Sequence, residues 1–328
     1  MTKNFNFKKF ISQNSIWLVF LLAAIFMTFM SDTFLTRVNI INLLTTESIK
    51  GIMAVGVMFC ILSKGIDLST AGVLALTSVI VASLTQQIGA VNRMFDYLNP
   101  VNPILVILIG LAVGVVVGAI NGSLIAFTKI PPFIATLGTM LITRSVALIY
   151  TNAIPLGQLT PEFRVIGQDA WLFGLPNVVV AFIIMVIIAG FLLTQTRYGK
   201  NIYAIGGNEV AARVAGINVE KNLVKVYIWS SVCAALAGIL LTARVGAGNA
   251  TMGMNFELDA IAMATVGGVS HSGGIARISG VVAGILLISV VNNGMLLLGI
   301  SPYTQNLVKG VIIVGAVVFD MRKHAKKA

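Results

Sequence analysis

Long apolar runs fill this chain, and short polar stretches punctuate them. The segment from Ile104 to Phe127 is apolar or small almost throughout. A strand crossing a bilayer alternates apolar and polar residues over about 10 positions, because its two faces meet lipid and lumen. These runs show no such alternation. Unbroken apolar runs predict helices, which satisfy their own backbone hydrogen bonds in lipid. A spanning helix needs about 20 mostly apolar residues. By that measure about ten spans are expected, within a range of nine to eleven. They cover roughly 16–34, 41–62, 68–87, 103–128, 132–151, 177–195, 224–243, 257–269, 275–299 and 303–320. The eighth is too short to cross alone and reads as a half-helix sheltered among its neighbours. The expected fold class is an all-α integral membrane protein, with 1–328 as a single transmembrane domain. Lys3, Lys8 and Lys9 ahead of Ile16 to Met30 have the layout of a signal peptide. No small-x-small cleavage site follows at Phe29-Met30-Ser31-Asp32, so the segment reads as an uncleaved first helix.

Composition supports lipid as the surrounding solvent. Only 10% of residues are charged and 57% are hydrophobic, with a mean hydropathy of +0.96. A soluble domain is about a quarter charged. The net charge of +11 raises the question of nucleic acid, and its placement answers it. With an inside N-terminus, Lys3, Lys8, Lys9, Lys64, Lys129, Arg197, Lys200 and Arg213 fall in cytoplasmic segments, as do Lys221, Lys225, Arg277 and the basic C-terminal tail. Only Arg37, Arg93, Arg164 and Arg244 fall outside. This is the positive-inside bias of a membrane protein. It predicts both termini in the cytoplasm and no nucleic-acid partner.

Within the spans, Gly110, Gly114, Gly118 and Gly122 repeat every fourth residue, which gives one smooth helix face for close backbone packing. Lys50, Arg144 and Lys309 are costly in lipid. Two placements remain open for them: lining a path, or snorkelling to the headgroups. Glu47, three residues before Lys50, is spaced to pair with it on one helix face. Polar residues in otherwise apolar helices, namely Asn121, Thr136, Thr139, Asn292 and Asn293, are candidates for a translocation path or for interhelical hydrogen bonds. Asp67 is placed to cap the third span. Cys60 and Cys233 read as small core residues.

Catalytic chemistry is not visible. No G-x-x-x-x-G-K-[ST] loop occurs, so no P-loop phosphate site is expected. The serines around His271 lack nucleophile-elbow spacing, and His271 reads as a loop residue. No metal-ligand cluster is expected.

The most charged segment, 196–223, is the longest cytoplasmic connection. Gly206 and Gly207 mark a turn. Asn208 is placed to cap a short helix from Glu209 to Ala215, which Gly216 would end. Glu209-Val210-Ala211-Ala212-x-x-x-Gly216 resembles the E-A-A-x-x-x-G signature of importer permeases, with Val210 standing between the acid and the alanines. Three further stretches agree. Gly65-Ile66-Asp67-Leu68-Ser69 resembles the G-I-D-L-S motif of ribose and galactose permeases. Phe133 to Met140 resembles their F-I-x-T-L-G-T-M stretch. Glu257 to Ala262 with Gly267-Gly268 and Ser272-Gly273-Gly274 resembles their E-L-D-A-I-A and glycine region. End to end, the chain resembles the permease subunit of carbohydrate-uptake ABC transporters.

That resemblance implies an ABC importer permease fold in a bacterial inner membrane. It implies a homodimer, a sugar ABC ATPase subunit inside and a soluble or lipid-anchored sugar-binding protein outside. ATP and Mg belong to the ATPase, and this chain binds no cofactor. The resemblance assigns Asn208, Glu209, Ala211, Ala212 and Gly216 to ATPase coupling. An ion-coupled sugar transporter is the alternative. It would keep an ionisable residue near the bilayer middle, where only Arg144 is a candidate.

Overall fold

Proline and small polar residues set where the helices of this chain begin. Pro103, Pro132, Pro161 and Pro302 each open a helix, a position where the missing N–H costs nothing. Thr36, Asn102, Thr196, Asn208 and Asn218 accept hydrogen bonds from first-turn amides. The computed structural model describes residues 7–172 and 174–325. In chain order the helices are α1 (Phe7–Met30), α2 (Arg37–Leu62), α3 (Thr70–Thr85), α4 (Pro103–Thr128), α5 (Pro132–Thr151), α6 (Pro161–Gln168) and α7 (Asn177–Gln195). There follow α8 (Arg197–Gly207), α9 (Glu209–Val214), α10 (Val219–Val245), α11 (Phe256–Val266), α12 (Ile278–Leu297) and α13 (Pro302–Ala325). No strand occurs among the described residues.

Each of the ten expected apolar segments coincides with a helix. Seven helices are long and apolar enough to cross a membrane: α2, α4, α5, α7, α10, α12 and α13. The apolar part of α1 and all of α3 are shorter. At 11 residues, α11 falls well below the length of a span.

The core is built around α2. From Glu47 to Leu62 every residue of α2 is buried, enclosed by α7, α10, α11 and α12. A helix apolar on all sides belongs in such a position. The glycine face of α4 lies against α10. A Cβ placed on Gly114 would lie 2.7 Å from the Ser231 carbonyl oxygen, and one on Gly122 would lie 2.6 Å from the Val224 Cα. Close backbone packing is therefore what the fourfold spacing achieves. The outer faces of α4, α5 and α7 carry exposed large apolar side chains such as Ile104, Phe127, Ile142, Ile187 and Phe191. A continuous apolar exterior of this kind marks a membrane-facing surface.

Two local readings need correction. Residues 197–207 form helix α8, where the sequence reads as loop before the Gly206-Gly207 turn. The Thr196 hydroxyl caps α8 by accepting from the Gly199 amide at 3.1 Å. Asp67 does not cap α3. Its Oδ1 accepts instead from the amide (3.0 Å) and hydroxyl (2.6 Å) of Ser69, the residue that precedes α3. The carboxylate thus closes the turn one step ahead of the helix.

Candidate functional site

Two sites stand at opposite ends of α2. The first is the α8–α9 hairpin. Asn208 Oδ1 accepts from the Ala211 amide at 3.0 Å and caps α9. At the other end Gly216 takes a positive φ of 80°. The Gly216 amide reaches the Arg213 carbonyl at 2.9 Å, and the Ile217 amide reaches the Ala212 carbonyl at 3.0 Å. This is a Schellman stop, for which glycine is the favoured residue. Arg213 bridges Glu209 at 2.9 Å and Glu220 at 2.6 Å, fastening α9 to α10.

The hairpin divides its small residues by face. Ala212 is 3% exposed and packs with Ile205 and Val219. Val210 and Val214 are 72% and 86% exposed. Glu209, Ala211 and Gly216 are also exposed. The base of the hairpin abuts the end of α2. A Cβ on Gly206 would collide with the Leu62 carbonyl oxygen, and Lys64 Nζ donates to the Gly207 carbonyl at 3.3 Å.

The adjoining loop, 267–277, fills the same junction. The Gly274 amide donates to the Leu62 carbonyl at 2.9 Å, and the Tyr203 hydroxyl donates to the Ala276 carbonyl at 2.9 Å. Asp320 Oδ2 accepts from the Ser270 hydroxyl and the His271 amide, both at 2.9 Å. His271 lies in this loop beside Thr265, at 2.8 Å. Burial holds its imidazole below the usual histidine pKa, against the opposing pull of Asp320.

The second site is a polar pocket of about 300 Å³ between the N-terminal half of α2, the end of α12 and the start of α13. Glu47 Oε1 lies 2.8 Å from Lys50 Nζ, the pairing that their spacing predicts. Lys50 also bridges Asp259 of α11 at 3.2 Å. Asp259 binds Lys309 of α13 at 2.8 Å. Lys50 lies 5.2 Å over the Phe256 ring. Lys50 and Lys309 therefore pair with protein instead of reaching headgroups. Two lysines and two carboxylates leave the network neutral. Removing one partner of a buried ion pair costs about 3–5 kcal/mol. Asp259→Asn is accordingly expected to lower the thermal stability of the purified protein by that order, measured in detergent by a melting assay.

Asn293 and Asn39 exchange amide hydrogen bonds at 2.9 and 3.0 Å on the pocket wall. Asn292 is 8% exposed and lies beside Glu47. Neither Asn292 Nδ2 nor Oδ1 completes a hydrogen bond, and neither does Glu47 Oε2. Each such buried polar atom costs roughly 1–3 kcal/mol.

The remaining path candidates lie elsewhere. Thr139 donates to Asn121 Oδ1 at 2.6 Å, and Asn121 Nδ2 donates to the Ser69 hydroxyl at 2.8 Å. Ser69 in turn meets Asp67. This buried chain ties α5, α4 and the start of α3 together. The Thr136 hydroxyl is bound to the Pro132 carbonyl at 2.8 Å. Arg144 donates to the Ala250 carbonyl at 3.2 Å, tying α5 to the loop before α11. Cys60 and Cys233 are free and buried, and no metal-binding cluster occurs among the described residues.

A family model described as the permease component of a branched-chain amino acid transport system matches residues 39–317. The chain is 38% identical to the galactose/methyl galactoside import permease of Escherichia coli K12 over 328 residues, 98% of each chain. It is 39% identical to the ribose import permease of Bacillus subtilis 168, covering 92% of this chain and 90% of that one. It is also 39% identical to the D-allose transport permease of Escherichia coli K12, covering 97% and 94%. No solved structure matches.

Proposed function

This chain belongs to the family of transport-system permeases that match it end to end, and from that premise we propose that it is the membrane subunit of an ABC importer for a monosaccharide. The carrying observation is similarity at 38–39% identity to three sugar permeases over nearly the whole chain. The family description speaks of branched-chain amino acids, but these full-length relatives import sugars.

The working unit is two copies of this chain in a bacterial inner membrane, with about ten membrane segments each and both termini in the cytoplasm. An ATPase subunit binds and hydrolyses MgATP, and a binding protein delivers the sugar from outside. This chain supplies the pore and the lever, and it has no nucleotide site of its own. The coupling segment, 196–223, is the lever. Val210 and Val214 present apolar surface outside the bilayer, which fits a protein partner. Asn208 and Gly216 hold α9 in shape, Glu209 braces Arg213, which fastens the helix to α10 through Glu220, and Ala212 anchors it from beneath. Movement of the hairpin would reach the pocket through α2. Leu62 sits against Gly206, and Glu47 lies 15 residues back along the helix, about 22 Å away. Closing the ATPase must favour one state of the pore by differential free energy, and about 5.5 kcal/mol carries an equilibrium from mostly one state to mostly the other.

Transport by the reconstituted permease, ATPase and binding protein tests the reading. Labelled galactose, ribose and allose are offered beside labelled leucine. Uptake of at least one sugar, and not of leucine, is expected. Uptake of leucine alone would overturn the proposal.

A further inference from the structure

We propose that Asp320 clasps the end of α13 to loop 267–277, and through that loop to the α8–α9 hairpin, giving the hairpin a second route into the membrane beside α2. The inference deepens the transport reading and rests on it. Three observations lead to it. The first is how little else holds α13. None of its described residues is buried, and among the helices it packs chiefly on α11. A helix with so little buried contact stays where its few polar anchors put it.

The second observation is the pair of anchors. Lys309 holds Asp259, in the first turn of α11, at 2.8 Å. Asp320 Oδ2 accepts from the Ser270 hydroxyl and the His271 amide, just past the end of α11, both at 2.9 Å. Asp259 to Ser270 and Lys309 to Asp320 are equal steps along the chain. The two helices therefore run side by side in one direction and are joined at both ends. The third observation is what the loop touches. Gly273 and Gly274 take positive φ, 78° and 72°, which lays the loop backbone to backbone on the base of the hairpin. A Cβ on Gly274 would lie 2.8 Å from the Gly207 Cα, and one on Gly273 would run into the Gly206 carbonyl oxygen. Contacts packed this closely transmit displacement. A hairpin pushed by the ATPase moves the loop, the loop carries Ser270 and His271, and Asp320 takes α13 with them. At the far anchor Lys309 then shifts against Asp259, whose carboxylate also binds Lys50 of α2. Both routes meet at the pocket between α2, α12 and α13. Asp320 is a positioning residue in this account and touches neither nucleotide nor sugar.

The test measures sugar moved per ATP hydrolysed, with permease, ATPase and binding protein in proteoliposomes. Asp320→Ala removes both hydrogen bonds. Asp320→Asn keeps a side-chain oxygen as acceptor and is the conservative rescue. Ser270→Ala removes one of the two bonds from the other side. In Asp320→Ala the ratio is expected to fall at least fivefold, while the ATPase still co-purifies and hydrolysis stays within twofold of wild type. Asp320→Asn should return the ratio to within twofold of wild type, and Ser270→Ala should lie between. A merely structural role would lower hydrolysis and transport together at an unchanged ratio. That result would overturn the clasp, as would a wild-type ratio in a folded Asp320→Ala complex. Where Asp320→Ala does not fold, Ser270→Ala decides, and an unchanged ratio there overturns the clasp. Uptake of sugar by the wild type keeps these outcomes separate from the transport reading. A wild-type complex that hydrolyses ATP and moves no galactose, ribose or allose would sink that reading and the clasp together.

Discussion

Gly118→Leu is expected to prevent the permease from reaching its folded state, or to lower its stability by on the order of 3 kcal/mol. A Cβ at Gly118 would lie 2.6 Å from both the Ile228 Cα and the Tyr227 carbonyl oxygen. Carbon atoms pack at about 3.5–4.0 Å. Neither obstacle is a side chain that can rotate away, so α4 must retreat from α10 by about an ångström before the rest of the leucine is placed. Retreat would also open the contacts at Gly110, Gly114 and Gly122, because all four lie on one rigid face. Overpacking usually costs about 1–3 kcal/mol, and a backbone-to-backbone clash belongs at the top of that range. Loss of the monodisperse peak in size-exclusion chromatography, or a lowered melting temperature, is the readout. Gly138→Leu is the control. A Cβ there meets nothing within 4 Å, and the change should leave the protein folded. Equal stability of the two variants would mean that α4 and α10 are not packed in this way.

Val210→Asp is expected to detach the ATPase subunit while leaving the permease intact. Val210 is 72% exposed and lies in the first turn of α9, where a negative charge suits the helix dipole. Fraying of α9 therefore cannot explain a loss of binding. Burying the new carboxylate against a partner is costly, and interface hot spots are worth about 2 kcal/mol or more. That corresponds to roughly 30-fold weaker association. Co-purification of the ATPase with a tagged permease measures it. Full retention of the ATPase would remove α9 as the docking helix. Ala212→Glu is a poorer probe. Ala212 is buried beneath the helix, so a glutamate there would break the hairpin itself.

The contrast between Val210 and Ala212 marks the limit of what a sequence discloses. Caps are local, so Asn208 and Gly216 were legible from residue type and spacing alone. The helices were legible because apolar runs of span length have few alternatives, and the α4 face because its period of four repeats over three turns. A six-residue helix has too few positions to reveal which face is buried. The sequence could name α9 but could not tell that its valines point out and Ala212 points in. The Glu47–Lys50 pair, three residues apart, was visible. Asp259, more than 200 positions away in sequence, was not, because only the packing of α11 against α2 brings it to Lys50. The same holds for Asn121 and Thr139. Their chain to Ser69 and Asp67 depends on how α3, α4 and α5 meet, and polarity within an apolar helix does not distinguish such bonds from a path.

The most direct test of an ATP-driven sugar permease is the driving force of uptake. Proteoliposomes holding the permease, its ATPase and trapped MgATP are supplied outside with the binding protein and a labelled monosaccharide. Accumulation that requires trapped ATP, is lost with Val210→Asp and is indifferent to collapse of proton and sodium gradients is the predicted result. Accumulation by the permease alone, driven by an ion gradient and unchanged without ATP, would contradict it.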